Sequence, residues 1–248
     1  MRADMTRRWL ILWLVASLVG VQFASCNAPD AQAACESKLS LSLQEYIGQL
    51  VPNPSQFEER AAARYGAKIF GYTPPLDPGA DVFPSFVELH WSPTDYQRRY
   101  GMLLEGGRAV RNWVMYESVH RPTLGDVTGC LGPPQQYWAW YGETFRGTGW
   151  ATDVLLLYPA QGILVSGFDQ SRQRAIETGK SEDSSFLKEV RVSAVSYARP
   201  MSSEELIRRA YSFAEFGTRD ALVHWYLDNI EPWPATWDEV EIMTLPRP

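Results

Sequence analysis

Two strand-like runs around one turn constrain this chain most. Thr152 to Tyr158 and Ile163 to Phe168 flank Pro159-Ala160-Gln161-Gly162, the pattern of a β-hairpin with a short loop. Within the first run, Val154-Leu155-Leu156-Leu157 is apolar at every position. Strand side chains alternate between faces, so this run carries apolar groups on both faces and predicts a central strand covered from each side. A hairpin makes the surrounding sheet antiparallel.

Other segments extend that sheet. Gln136 to Tyr141 is aromatic and extended. Ala109 to Tyr116 alternates, which places Ala109, Arg111, Trp113 and Met115 on one face. Val190, Val192 and Ala194 restore alternation after residues 170–185, a polar stretch that reads as an exposed loop. Phe83 to Trp91 contains Pro84 and predicts an edge strand, because proline offers no N–H to a ladder.

Helical patterns lie toward the ends. Leu39, Leu43, Tyr46, Ile47 and Leu50 follow a helical period up to Pro52, and Ser55 to Tyr65 predicts a second helix. Thr73 to Gly79 is proline-rich and reads as a loop. Near the C-terminus, Ser202 and Glu205 have capping-box spacing, and Leu206, Ile207, Ala210, Tyr211 and Phe213 form an apolar stripe ended by Gly217. Thr218 opens a further helix carrying Ala221, Leu222, Trp225 and Tyr226. The prolines of residues 232–237 exclude regular helix there. Strands bracketed by helices predict an α+β fold: a mainly antiparallel sheet with helices packed at its N- and C-terminal ends. The expected organisation is a signal peptide over 1–25, a tether over 26–37, and a single α+β domain over 38–248 with a helical C-terminal part at 199–230. No internal repeat is evident.

The first 26 residues bear on location. Arg7 and Arg8 precede an apolar run from Trp9 to Val21, then Gln22-Phe23-Ala24-Ser25-Cys26. The run falls short of the ~20 residues that a membrane-spanning helix needs. Its layout is that of a bacterial export signal. Ala24-Ser25-Cys26 resembles the lipobox of bacterial lipoprotein signals, with Phe23 where that family usually has Leu. The resemblance implies acylation of Cys26 and a lipid anchor (palmitate among its chains) at the extracytoplasmic face of a cell membrane or envelope. Two other readings stay open. Ala31-Gln32-Ala33 offers ordinary cleavage before Ala34, and the segment can also persist as an uncleaved anchor.

The chain has three cysteines, Cys26, Cys35 and Cys130. An odd count in an exported protein asks for an explanation. Lipidation of Cys26 supplies one and leaves Cys35 and Cys130 as a candidate disulfide, the alternative being two buried thiols.

The sharpest internal motif is Thr123-Leu124-Gly125-Asp126-Val127-Thr128-Gly129-Cys130-Leu131-Gly132-Pro133-Pro134. Thr123 and Asp126 predict a capping box, Leu124, Val127 and Leu131 share one side of a short helix, and Gly132 stops it in a left-handed conformation. Val127, Leu131, Gly132 and Pro134 form an element similar to one in outer-membrane assembly lipoproteins of the BamE/SmpA type and related β-lactamase-inhibitor-like modules. The resemblance covers residues 120–168. It implies a non-catalytic binder or scaffold.

Chemistry is sparsely signposted. His90, His120 and His224 are isolated, and no metal-ligand spacing occurs. There is no G-x-S-x-G elbow, and the glycines at 106–107 and 147–149 lack the residues of phosphate loops. Glu204-Glu205 and Asp238-Glu239 read as solvated pairs. The net charge of −6 argues against nucleic-acid binding. No catalytic residue, metal ligand or cofactor is assigned. The function expected is a membrane-tethered lipoprotein that binds a protein or an envelope component. The alternative is a carbohydrate-binding or glycan-processing protein using Trp138, Trp140 and Trp150, and a further alternative is a secreted hydrolase. Most of the ten Trp and 12 Tyr fall in strand-like runs and fit a β-rich core.

Overall fold

The apolar run at 154–157 is an interior strand, as its composition predicts. The structure is a computed structural model describing residues 29–50, 67–73, 86–93, 98–105, 108–117, 121–143, 150–170, 184–210 and 219–244. The chain divides into an N-terminal unit, Met1–Ser37, and a main unit, Lys38–Pro248. The strands are β1 (Ala67–Thr73), β2 (Phe86–Pro93), β3 (Arg98–Glu105), β4 (Arg108–Tyr116), β5 (Gln136–Glu143), β6 (Trp150–Tyr158), β7 (Ile163–Asp169), β8 (Val192–Ala198) and β9 (Glu231–Pro232). They form one nine-stranded sheet in the order β1-β2-β3-β4-β8-β7-β6-β5-β9, antiparallel throughout. The described helices are α1 (Pro29–Leu39), α2 (Leu124–Leu131), α3 (Ser203–Ala210) and α4 (Arg219–Leu227). The class is α+β, as expected.

The order contains a duplication that the residues do not advertise. Strands β1–β4 and β5–β8 are two four-strand meanders joined at the antiparallel β4–β8 pair. A half-turn about an axis between β4 and β8 carries one meander's topology onto the other. A 3-10 turn, Leu41–Tyr46, precedes the first, and α2 precedes the second. Hydrogen-bond topology carries the plan, and residue identity does not.

The sheet buries apolar groups on both faces. Val154, Leu156, Val165 and Val195 pack on one face with Leu43 and Leu124. On the other, Leu155, Leu157 and Leu164 meet Leu206 and Ile207 of α3 and Tyr226 of α4. Each such buried side chain contributes roughly 1.5–3 kcal/mol.

The segment 26–37, read as a tether, contains the start of a helix, Pro29–Leu39. Its alanines favour helix, Pro29 suits the first position, and Asp30 and Lys38 complement the helix dipole. The period from Leu39 to Leu50 is broken at Ser40, which has φ 55° and ψ 45° and separates α1 from the 3-10 turn. Leu39, Leu43 and Tyr46 are buried all the same, whereas Leu50 is exposed. Strand β2 is no edge. It begins at Phe86, beyond Pro84, and pairs with both β1 and β3. Ala109 leaves the face of Arg111, because a register shift at Leu103/Leu104 turns Ala109 into the first core. The readings of the leader with Cys26, of residues 55–65, of most of 170–185, and of Tyr211, Phe213 and Gly217 lie outside the described residues.

The C-terminal tail closes the β5 edge. Trp233 N donates to Gln135 O (3.0 Å), Tyr141 N donates to Met243 O (2.8 Å), and Met243 N donates to Ala139 O (3.0 Å). Between these anchors, Trp233 meets Tyr137 edge-on and Val240 is buried. An edge strand covered this way cannot template intermolecular pairing.

Candidate functional site

The capped motif forms as its residues dictate. Thr123 Oγ1 accepts from Asp126 N (3.1 Å), and an Asp126 carboxylate oxygen accepts from Thr123 N (2.9 Å). Leu124 and Val127 are buried, and Gly132 ends the helix with φ 79° and ψ −173°. The φ is positive as predicted, but ψ is extended, so the stop is not the left-handed helical conformation. Lys38 Nζ donates to Asp126 Oδ1 (2.6 Å). Burial pushes the Asp126 pKa up, but the hydrogen bonds from Lys38 and Thr123 and the lysine's charge outweigh it and hold the carboxyl below its ordinary range. Capping and ion pairing thus engage Thr123 and Asp126.

Cys35 and Cys130 are joined by a disulfide. Of the paired carboxylates, Glu204 and Glu205 form i,i+4 ion pairs with Arg208 and Arg209, and Glu239 accepts from Ala235 N. Glu205 N donates to Ser202 Oγ (3.2 Å), which completes half of the expected capping box. His224 is exposed on α4. The His90 backbone lies in β2, and His120 lies outside the described residues. Among the described residues no three His, Cys, Asp or Glu side chains gather around a metal position. No described helix is long and apolar enough to cross a membrane.

The three tryptophans named as exposed candidates separate sharply. Trp138 and Trp140 are 0% and 1% exposed, whereas Trp150 is 39% exposed. Trp138 sits edge-on to Trp225 and Tyr226 of α4, with centroids 5.0 and 4.8 Å away. These two rings therefore belong to the second core. Their strand alternates Tyr137, Trp138, Ala139, Trp140 and Tyr141 between two buried faces, and the C-terminal helices cover the face that a surface reading leaves open.

Trp150 differs because it starts β6 opposite Glu143, the last residue of β5. Its ring stacks on Tyr141, with centroids 5.3 Å apart and planes 26° from parallel. Two residues on, Thr152 pairs with Tyr141 on one side and Asp169 on the other. Thr152 is 1% exposed, and its hydroxyl has no hydrogen-bond partner among the described residues. Sequence reasoning named the indole but missed Tyr141, Thr152 and Asp169. Strand register brings them together, and no local motif marks it.

No family model and no curated protein matches the sequence. Among solved structures, a cysteine-rich secretory protein from Staphylococcus aureus is similar at 9% identity with a TM-score of 0.28. The match covers 66% of this chain and spans about half (47%) of that protein.

Proposed function

We propose that this chain is exported, anchored in a membrane through a lipid on Cys26, and acts outside the cytoplasm as a non-catalytic binding or scaffold unit for an envelope component or protein partner. The observation that carries this reading is the Cys35–Cys130 disulfide. Disulfides persist in oxidising compartments, which supports export. The bond also takes two of the three cysteines and leaves Cys26, directly after the short apolar run, as the third. The engagement of Glu204, Glu205 and Asp126 in capping and ion pairs supports a structural role for the clearest acidic groups.

The test is acylation in the native host. Metabolic labelling with a fatty-acid analogue marks the wild-type chain, and Cys26→Ser abolishes both label and normal processing. Mass spectrometry that found an unmodified mature N-terminus at Ala34 would refute the anchor.

A further inference from the structure

We propose that the Cys35–Cys130 disulfide is a redox latch on α1: exchange with a protein dithiol opens it, residues 29–37 lose their helix, and the main unit stays folded. The switch is independent of the lipid, and its consequence for reach rests on the anchor proposed above.

Helix α1 lacks the means to persist by itself. It has 11 residues, and isolated helices shorter than about 12–15 residues are marginal in water. Burial of an apolar face usually makes up the difference. In α1, residues 30–34, 37 and 38 are exposed, Cys35 and Glu36 are half-buried, and burial begins only at Leu39. Glu36 and Ser37 make polar interactions, which contribute little at such exposure. The disulfide is therefore the strong restraint on the middle of the helix.

Its C-terminal end is held differently. Tyr116 Oη donates to Lys38 O (2.8 Å), Tyr197 Oη donates to Leu39 O, and Lys38 Nζ donates to Asp126 Oδ1 (2.6 Å). Asn112 Nδ2 donates to Leu43 O (2.6 Å), and Leu43 is buried. These ties lie within the main unit, which begins at Lys38, and none involves a cysteine. Helix α2 also stands without the bond. Its capping box, its buried Leu124 and Val127, and the bond from Leu124 N to Val190 O (2.9 Å) all lie away from Cys130. Opening the disulfide thus leaves both the 38–43 segment and α2 in place.

Both cysteines keep part of their surface, so an attacking thiolate has access. One thiolate of the dithiol attacks a cysteine Sγ, breaks the S–S bond and forms a mixed disulfide. The other cysteine leaves as thiolate and takes a proton. The second thiol of the reductant then attacks the mixed disulfide, releases the remaining cysteine, and closes the reductant's own disulfide. Two electrons and two protons pass to the chain. As helix, 11 residues span about 16 Å. Extended, they span up to roughly 36 Å. A domain anchored at Cys26 thereby gains up to about 20 Å of reach on reduction.

The experiment is hydrogen exchange read by mass spectrometry on the full-length Cys26→Ser chain in detergent, which lacks the third thiol. It is compared oxidised and after treatment with dithiothreitol as the dithiol probe. In the oxidised chain, amides 33–37, beyond the unbonded first turn, are protected. Reduction speeds their exchange about tenfold or more, while the amides of α2 and of β4, β6, β7 and β8 keep their protection. Cys130→Ser gives the reduced pattern without reductant. Three results overturn the proposal: dithiothreitol that leaves the bond intact in the folded chain, unchanged exchange at 33–37 after reduction, or loss of protection throughout the chain. A Cys130→Ser chain that does not fold counts with the last of these. Acylation of the wild type at Cys26 is read separately, and if it fails while exchange responds, the latch stands and only the gain in reach falls.

Discussion

Two glycines, one inside a short helix and one at its stop, carry opposite expectations. Gly129 lies within α2, and Gly132 follows its end. A β-carbon added at either position meets no atom within 4 Å, so crowding does not distinguish them. Backbone conformation does. Gly129 is helical, and alanine there removes freedom from the unfolded chain and improves helix propensity, a gain of about 0.4–1 kcal/mol. Gly132 sits at φ 79° and ψ −173°, a region almost closed to other residues. A side chain there costs roughly 1–3 kcal/mol, with β-branched Val at the upper end. For a chain of this length, about 1 kcal/mol moves the melting temperature by about 2–4 °C. Calorimetric melts of the oxidised protein should show Gly129→Ala above wild type, Gly132→Ala below it, and Gly132→Val lowest. A Gly132→Ala protein melting at or above wild type would refute the argument that backbone geometry fixes this position.

The remaining expectations concern charge, packing and the tail. Because the Asp126 pKa is lowered by folding, its contribution to stability is present above the unfolded value of about 3.9 and is lost as pH falls through the lower folded value. Urea midpoints of wild type and Asp126→Asn should therefore differ at neutral pH and converge in acid, and a gap that persists in acid removes the linkage. A β-carbon on Gly101 would overlap the Trp113 ring. Gly101→Ala should destabilise by about 1–3 kcal/mol, and Trp113→Ala made together with it should show strong non-additivity, with additive effects arguing that the ring is not seated there. Truncation after Ile230 removes the partners of Gln135 O, Ala139 O and Tyr141 N, so light scattering should show concentration-dependent association, and a monomer at all concentrations contradicts the edge-guard role.

Local chemistry was the legible part. The hairpin around Pro159–Gly162, the capped helix at Thr123 and the central strand at 154–157 all follow from short-range rules, and all form. What was not legible depends on long-range pairing. The position of β2 inside the sheet requires β1, whose pairing no residue of β2 announces. The turning of Ala109 into the core requires the irregular pairing at Leu103/Leu104, which alternation along β4 alone does not reveal. The aromatic site behaves likewise. Trp150 was visible as a residue, but Tyr141 and Asp169 become its neighbours only through the registers of β5, β6 and β7.

The duplicated plan also explains why the C-terminal helices are needed where they are. The second meander carries Leu155, Leu157, Leu164 and Trp138 on its second face, a surface that water would penalise. Helices α3 and α4 remove it from solvent. On β3 and β4 the same face is built differently. There Trp113 lies against Gly101, and the Arg111 guanidinium sits 4.8 Å over the Trp113 ring. Arg111 in turn donates to Ser196 Oγ and to Arg209 O at the end of α3 (3.0 Å each), where the helix dipole favours a cation. In this half a glycine recess and an arginine shield the indole, whereas in the other half two helices shield the leucines. The same residue ties both solutions together, because Arg111 reaches from β4 to the helix that covers the neighbouring meander.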